Sequence, residues 1–263
     1  MHEQRLAGGR QTPGVVRVGD TVRRPLNRNS EFVQSVLRYL EVVGFTGAPR
    51  ILGVDEAGRE VLSFIEGEVH VAAPDSPEPR LSDAQLASAA RLIRRLHDAT
   101  VGSALAGGEE VVCHGDLGPH NTVFVDDEAV GLLDWDEGVR PGARRDVLAH
   151  AVWCFVDVGE TGGPVEQQAR RIRLMCDAYG WDDPGAIVDE IAALLRRARD
   201  MHVSAGRHPA AAIFEELIWW MGDHDEGLRT ASGAHRSPGA DGRPARYPIS
   251  RESASRRSRG RLP

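Results

Sequence analysis

Between Cys113 and Asp136 the chain reads Cys-His-Gly-Asp-Leu-Gly-Pro-His-Asn-Thr-Val-Phe-Val-Asp-Asp-Glu-Ala-Val-Gly-Leu-Leu-Asp-Trp-Asp, and no other stretch limits the possible folds as much. Two apolar runs, Thr122–Val125 and Ala129–Leu133, flank Asp126-Asp127-Glu128, which predicts a hairpin closed by an acidic turn. A hairpin brings its two ends together. The loop holding His114, Asp116 and Asn121 is therefore expected beside the loop holding Asp134 and Asp136. Such a meeting of oxygen-bearing side chains suits phosphoryl transfer from a nucleotide, in which one carboxylate faces a hydroxyl and other ligands hold Mg²⁺ on the phosphates.

Taken singly, these residues are ambiguous. Asp and Asn are common turn formers that cap their own backbone, and a metal-dependent phosphohydrolase could use a His-x-Asp with further carboxylates. The joint spacing is more specific: Asp116 and Asn121 stand five apart, as in the kinase loop H-x-D-x-x-x-x-N, and Asp134 opens an Asp-Trp-Asp where protein kinases carry Asp-Phe-Gly. On these motifs the chain resembles the aminoglycoside phosphotransferase and choline kinase branch of the kinase-like fold, over roughly residues 5–230 and most specifically in 114–146.

That resemblance implies an α+β, two-lobed architecture, with a small antiparallel-sheet N-lobe (1–67) and a mainly helical C-lobe (68–230). It implies ATP and Mg²⁺ as cofactors, Asp116 as the catalytic carboxylate, His114 as the brace of its loop, and Asn121 and Asp134 as metal ligands. Asp136 takes a supporting or second-metal role. Asp146, in Asp146-Val147-Leu148-Ala149, matches the family's Asp that braces the metal loop at a helix start, where a carboxylate also suits the helix dipole. The acceptor is expected to be a small hydroxylated molecule; the formal net charge of −7 would suit a cation, although solubility is the commoner reason for such a charge. A non-catalytic member that keeps the fold as a nucleotide- or ligand-binding module is the alternative.

In the N-lobe, short strands are predicted at Arg5–Ala7, Val15–Val18 and Thr21–Arg24, the last stopped by Pro25. Gly8-Gly9-Arg10-Gln11-Thr12-Pro13-Gly14 lies where a loop could cover the nucleotide phosphates, although an ordinary turn has the same composition. All 32 basic residues are arginine, so the family's strand lysine is missing. Strand alternation points only one of Arg23 and Arg24 inward, and Arg23, which follows the apolar Val22 as the family's lysine follows an aliphatic residue, is the one favoured to replace it on the phosphates. A helix is predicted over Ser30–Val43, capped by Ser30, followed by a hairpin of Ile51–Val54 and Glu60–Ile65. By the resemblance, Ser63, Phe64 and Ile65 offer backbone groups to adenine just before the crossing at Glu66-Gly67.

Val71–Arg80 reads as a loop. Helices are predicted at Leu81–Ala99, Val165–Tyr179, Pro184–Val203 and Pro209–Met221. Glu215, Glu216, Trp219 and Trp220 form an acid and aromatic mixture able to hold an amine-bearing acceptor, though a final amphipathic helix with buried indoles and solvated acids has the same pattern. At 263 residues the chain can bury a large core. It has no apolar run long enough to cross a bilayer and no secretory signature at its start, so a cytoplasmic location and no membrane partner are expected. Cys113, Cys154 and Cys176 suggest neither disulfides nor zinc. From Ala231 onward Gly, Pro, Ser and Arg dominate, and the stretch holds eight Arg against Asp241 and Glu252. A disordered basic tail (231–263) is expected there, without a nucleic-acid partner because aromatic residues are almost absent.

Overall fold

The computed structural model describes residues 3–5, 14–70 and 81–232. The glycine stretch before Gly14, the loop at 71–80 and the tail from residue 233 lie outside the described residues, as does most of the strand expected at 5–7.

Five antiparallel strands form the N-terminal sheet: β1 (Gln4–Arg5), β2 (Val16–Val18), β3 (Thr21–Pro25), β4 (Ile51–Val54) and β5 (Arg59–Ser63), in the order β1-β2-β3-β5-β4. Helix α1 (Ser30–Val42) buries Val33, Val36, Leu37 and Leu40 in one cluster with Leu62 of β5. Val22 pairs with Leu62, and Arg24 with Glu60. Because side chains alternate along a strand, these four share the face turned to the core, and Arg23 takes the other face. Ser30 is the first helical residue rather than the cap. Its hydroxyl accepts from the Asn27 N–H at 2.9 Å, and Asn29 occupies the cap position with its side chain engaged elsewhere.

The rest of the chain is mainly helical. After β6 (Glu68–Val69), helix α2 (Asp83–Thr100) starts with a reciprocal capping box: Ser82 Oγ accepts from Gln85 N–H at 3.1 Å, and Gln85 Oε1 accepts from Ser82 N–H at 2.9 Å. Four short strands follow: β7 (Val111–Cys113), β8 (Thr122–Val125), β9 (Glu128–Leu132) and β10 (Arg140–Gly142). The predicted hairpin is β8–β9, with a bulge between Val123 and Phe124, and β6 adds to its β8 edge. Helices α3 (Arg144–Val156), α4 (Val165–Tyr179), α5 (Pro184–Ser204), α6 (His208–Asp223) and α7 (Asp225–Ser232) complete the fold. Their buried faces, including Leu148, Ile172, Ile191 and Leu228, belong to the same apolar cluster as Leu92 and Leu96 of α2 and Trp135. No described helix is long and apolar enough to cross a membrane.

Candidate active site

Two loops are held at all four of their ends. The first, 114–121, leaves β7 and enters β8; the second, 133–139, leaves β9 and enters β10. Since β8 pairs with β9 and β7 with β10, both loops are pinned side by side. Between the ladders, Leu133 N–H donates to Asn121 O at 2.8 Å. Gly115, at φ +91°, lies so close to Gly138 that a Cβ there would stand 2.2 Å from the Gly138 carbonyl oxygen. Only glycine fits such an approach.

Buried rings anchor this pair of loops. Trp135 is fully buried, its Nε1–H donating to Leu132 O at 2.8 Å. Sinking the middle residue of Asp-Trp-Asp turns its neighbours outward, and Asp134 adopts a left-handed backbone, φ 60°. That conformation is costly for a residue with a side chain and is held by the surrounding structure. His114 is also fully buried and meets Trp135 edge-on, with centroids 4.7 Å apart. Its Nε2–H donates to Leu133 O at 2.8 Å, and its Nδ1 faces the Asp116 N–H at 3.4 Å. Burial pushes its pKa down to about 4, so the imidazole is neutral and serves both loops as a brace.

Asp116 is half exposed. The Asn121 side-chain amide donates to its backbone oxygen and to Oδ2, both at 2.9 Å, leaving Asn121 Oδ1 without a hydrogen bond among the described residues. His120 Nε2 stands 3.4 Å from the same Oδ2. That contact, against the opposing effect of burial, keeps the Asp116 carboxyl below the ordinary range and ionised. Asp134 moves the other way: burial raises its pKa, and the charges of Asp136 and Asp116 add to the rise while Arg24 opposes it. Asp136 Oδ1 accepts from Gly138 N–H at 3.0 Å.

The donor set fits Mg²⁺. Asp134 feels the negative charge of two other carboxylates, only partly offset by Arg24, and the free amide oxygen of Asn121 lies beside Asp116, so all the donors are hard oxygens. Among the described residues no group of three His, Cys, Asp or Glu forms a cage by itself. A few protein oxygens completed by phosphate oxygens and water is the arrangement magnesium favours. The phosphohydrolase alternative gains nothing from that absence of a cage.

Of the two arginines of β3 the structure turns Arg24 inward and Arg23, the one expected there, outward. Val22 faces the core, so the next residue must face away and the one after must face in; Arg24 is 7% exposed. Its Nε donates to Glu60 Oε2 at 2.6 Å, while Nη2 is buried and has no hydrogen-bond partner among the described residues. Arg23 instead hydrogen-bonds Thr21 Oγ1 at 2.5 Å and lies 3.6 Å from Asp55. At the end of β5, Ser63 N–H donates to Arg50 O and Phe64 N–H to Asp20 O, both at 2.9 Å. Of the three expected adenine contacts only Ile65 keeps an unengaged N–H among the described residues. Its side chain packs over Gly131, where a Cβ would come within 2.8 Å.

Beside Asp116 opens a cleft of about 470 Å³ lined by Pro119, His120, Trp153, Asp157, Glu216 and Trp220, among others. The expected acceptor cluster thus divides. Glu216 and Trp220 face this cleft, whereas Glu215 pairs with Arg199 at 3.0 Å and Trp219 is 69% exposed. At about 100° per residue Glu215 and Trp219 share one side of the helix and Glu216 and Trp220 another about 100° round, so the two pairs do not face one ligand together. Asp146 is in the first turn of α3, and among the described residues it has no hydrogen bond to the metal loop. The loop is gripped instead by Asn29, whose Nδ2–H₂ donates to Asp136 O and Val139 O, each at 3.0 Å. His120 could have been noticed from its spacing of four from Asp116 and Glu60 from strand alternation; nothing local marks Asn29.

No protein-family model matches the chain. It is 35% identical over 264 residues to the trifolitoxin immunity protein of Rhizobium leguminosarum bv. trifolii, covering 86% of this chain and 97% of that protein. Among solved structures, the macrolide 2'-phosphotransferase MphH from Brachybacterium faecium superposes with a TM-score of 0.52 at 15% identity, covering 75% of this chain and 86% of that one. ADP-bound aminoglycoside phosphotransferase APH(2'')-Ib superposes with a TM-score of 0.54 at 14% identity, covering 83% and 92%. At such identities the likeness is one of fold.

Proposed function

The chain belongs to the family of the trifolitoxin immunity protein and, by fold, to the aminoglycoside phosphotransferase and choline kinase-like group, and on that footing we propose that it transfers the γ-phosphoryl group of ATP to a hydroxyl of a small toxic acceptor. One observation carries this reading: Asp116, Asn121 and Asp134 meet on two interlocked loops, and the charge of Arg24 reaches Asp134 from the sheet above.

In the proposed reaction the acceptor hydroxyl enters the cleft beside His120 and presents its proton to Asp116. The acceptor oxygen forms a bond to the γ-phosphorus as the bond to the β,γ-bridging oxygen breaks, and the products are a phosphate ester, ADP and a proton. Asp116 orients and takes up that proton; its low pKa suits a loose transition state that requires little base strength. Asn121 fixes the Asp116 carboxylate and, with Asp134 and Asp136, would hold Mg²⁺. When bound, that ion neutralises charge on the phosphates. Arg24 Nη2 offers a further donor to the phosphates. The crossing between lobes falls at Glu66-Gly67, so that residues 1–67 form the nucleotide lobe, 68–230 carry the catalytic and acceptor groups, and Ile65 takes the adenine edge. Asp157, Glu160 and Glu216 with Trp153 and Trp220 favour a cationic, partly apolar acceptor.

The relative's name supports a protective role. The test is to express the chain and its Asp116→Asn variant in a sensitive host, challenge with a panel of hydroxylated cationic toxins, and assay each compound for acceptor-dependent ADP formation. Protection that requires Asp116 and coincides with ADP release is the expected result. Arg24, held by Glu60 where the fold group has lysine, favours one second reading, a non-catalytic module that sequesters the toxin. Equal protection by Asp116→Asn would select it.

A further inference from the structure

Helix α1 touches both halves of the proposed phosphate site, through two uncharged amides. At its N-terminus Asn29 donates from one nitrogen to Asp136 O and Val139 O, both at 3.0 Å. These two carbonyls bracket the turn that follows Asp134, so their position sets where the carboxylates point. Just over one turn later, Gln34 Nε2–H donates to Glu60 Oε1 at 2.7 Å, and Glu60 Oε2 accepts from Arg24 at 2.6 Å. Glu60 is fully buried, so removing the Gln34 donor leaves a carboxylate oxygen unsatisfied next to the one fixed partner of Arg24. Asn29 sits at the cap position without a side-chain cap bond, and Gln34 turns its amide nitrogen to the sheet while its Oε1 accepts from Arg38 one turn on at 3.3 Å. The Arg28 to Glu137 pair across the same junction is exposed and adds little.

We propose that α1 is the spacer of the nucleotide site, with Asn29 and Gln34 as positioning residues that set the distance between the metal loop and Arg24. The inference rests on the phosphotransferase reading and deepens it, because it assigns each half of the grip to a separate side chain. Asn29 acts through the carboxylates and therefore through Mg²⁺. Gln34 acts through Arg24 and therefore on the phosphates with or without metal.

The test is calorimetric titration of the full chain with ATP, in Mg²⁺ and in EDTA, for the unsubstituted protein, Asn29→Ala and Gln34→Ala. Gln34→Ala is expected to weaken binding roughly three- to tenfold in both conditions, and Asn29→Ala by a similar factor in Mg²⁺ alone, the size set by one or two lost hydrogen bonds. Asn29→Ser, which keeps a good cap residue but not the reach, and Gln34→Met, which keeps length but not the donor, should repeat the pattern at a temperature where a thermal melt shows each variant folded. Variants that bind like the unsubstituted protein, an Asn29 variant that weakens both conditions equally, or a Gln34 variant that weakens binding in Mg²⁺ alone overturn the inference alone. Failure of the unsubstituted protein to bind ATP in either condition overturns the phosphotransferase reading and the inference with it.

Discussion

Asp116 carries the proposed chemistry, and its surroundings fix what its removal does. Asp116→Asn keeps the shape that Asn121 and His120 hold, so turnover is expected to fall on the order of 10²–10⁴-fold with nucleotide affinity little changed, as steady-state ADP release and calorimetry will show. His114 makes a different prediction. Its folded pKa of about 4 lies below the 6.5 of the unfolded chain, so between these values the unfolded state binds the extra proton. The corresponding stability is present above pH 6.5 and is lost as pH falls toward 4. His97, brought to about 3 chiefly by burial, acts in the same direction over a slightly wider window. Urea midpoints across pH 4–7 should therefore decline on acidification, and His114→Gln should flatten that slope by up to about one proton. The place of His114 beside Asp116 was legible in the sequence because its motif is local. The identity of the strand cation was not: in Val22-Arg23-Arg24 the choice turned on which face the alternation starts from, and only the pairing of Arg24 with Glu60 fixes that phase.

At the scale of elements, the loops depend on their ladders and on one close approach. Gly115→Ala should place a methyl group against the Gly138 carbonyl in an unfavourable backbone region, destabilising the fold by roughly 2 kcal/mol or more. For a chain of this size that corresponds to a fall in Tm of roughly 4–8 °C by calorimetric scan. Ser82→Ala removes one half of the capping box of α2 and should cost about 1 kcal/mol, with no effect on nucleotide binding. The hairpin, the helices and the sheet were readable because their periods and turn residues are contiguous. The grip of Asn29 on the second loop spans more than a hundred residues of sequence, and the orientation of Glu215 and Trp219 away from the cleft is set by how α6 packs against α5. Neither leaves a local pattern. No helix is predicted at α7, whose eight residues carry one large apolar side chain; there Asp225 pairs with Arg229 one turn on, Leu228 is buried, and the helix runs through Ser232, two residues into the stretch expected to be disordered.

For the molecule as a whole, the lobes meet where the proposed ligand binds, so occupancy should be visible as stability. At a hundredfold excess over its Kd, Mg²⁺-ATP adds about 2.7 kcal/mol, which a thermal shift should report as a rise of roughly 5–10 °C; Asp134→Ala should lose most of it. The cation of the proposed phosphate grip also sets which reagents could find this pocket. With no lysine anywhere in the chain, acylating nucleotide probes that tag a side-chain amine have nothing to label here. A survey of active kinases by that chemistry would pass over this protein however well it worked.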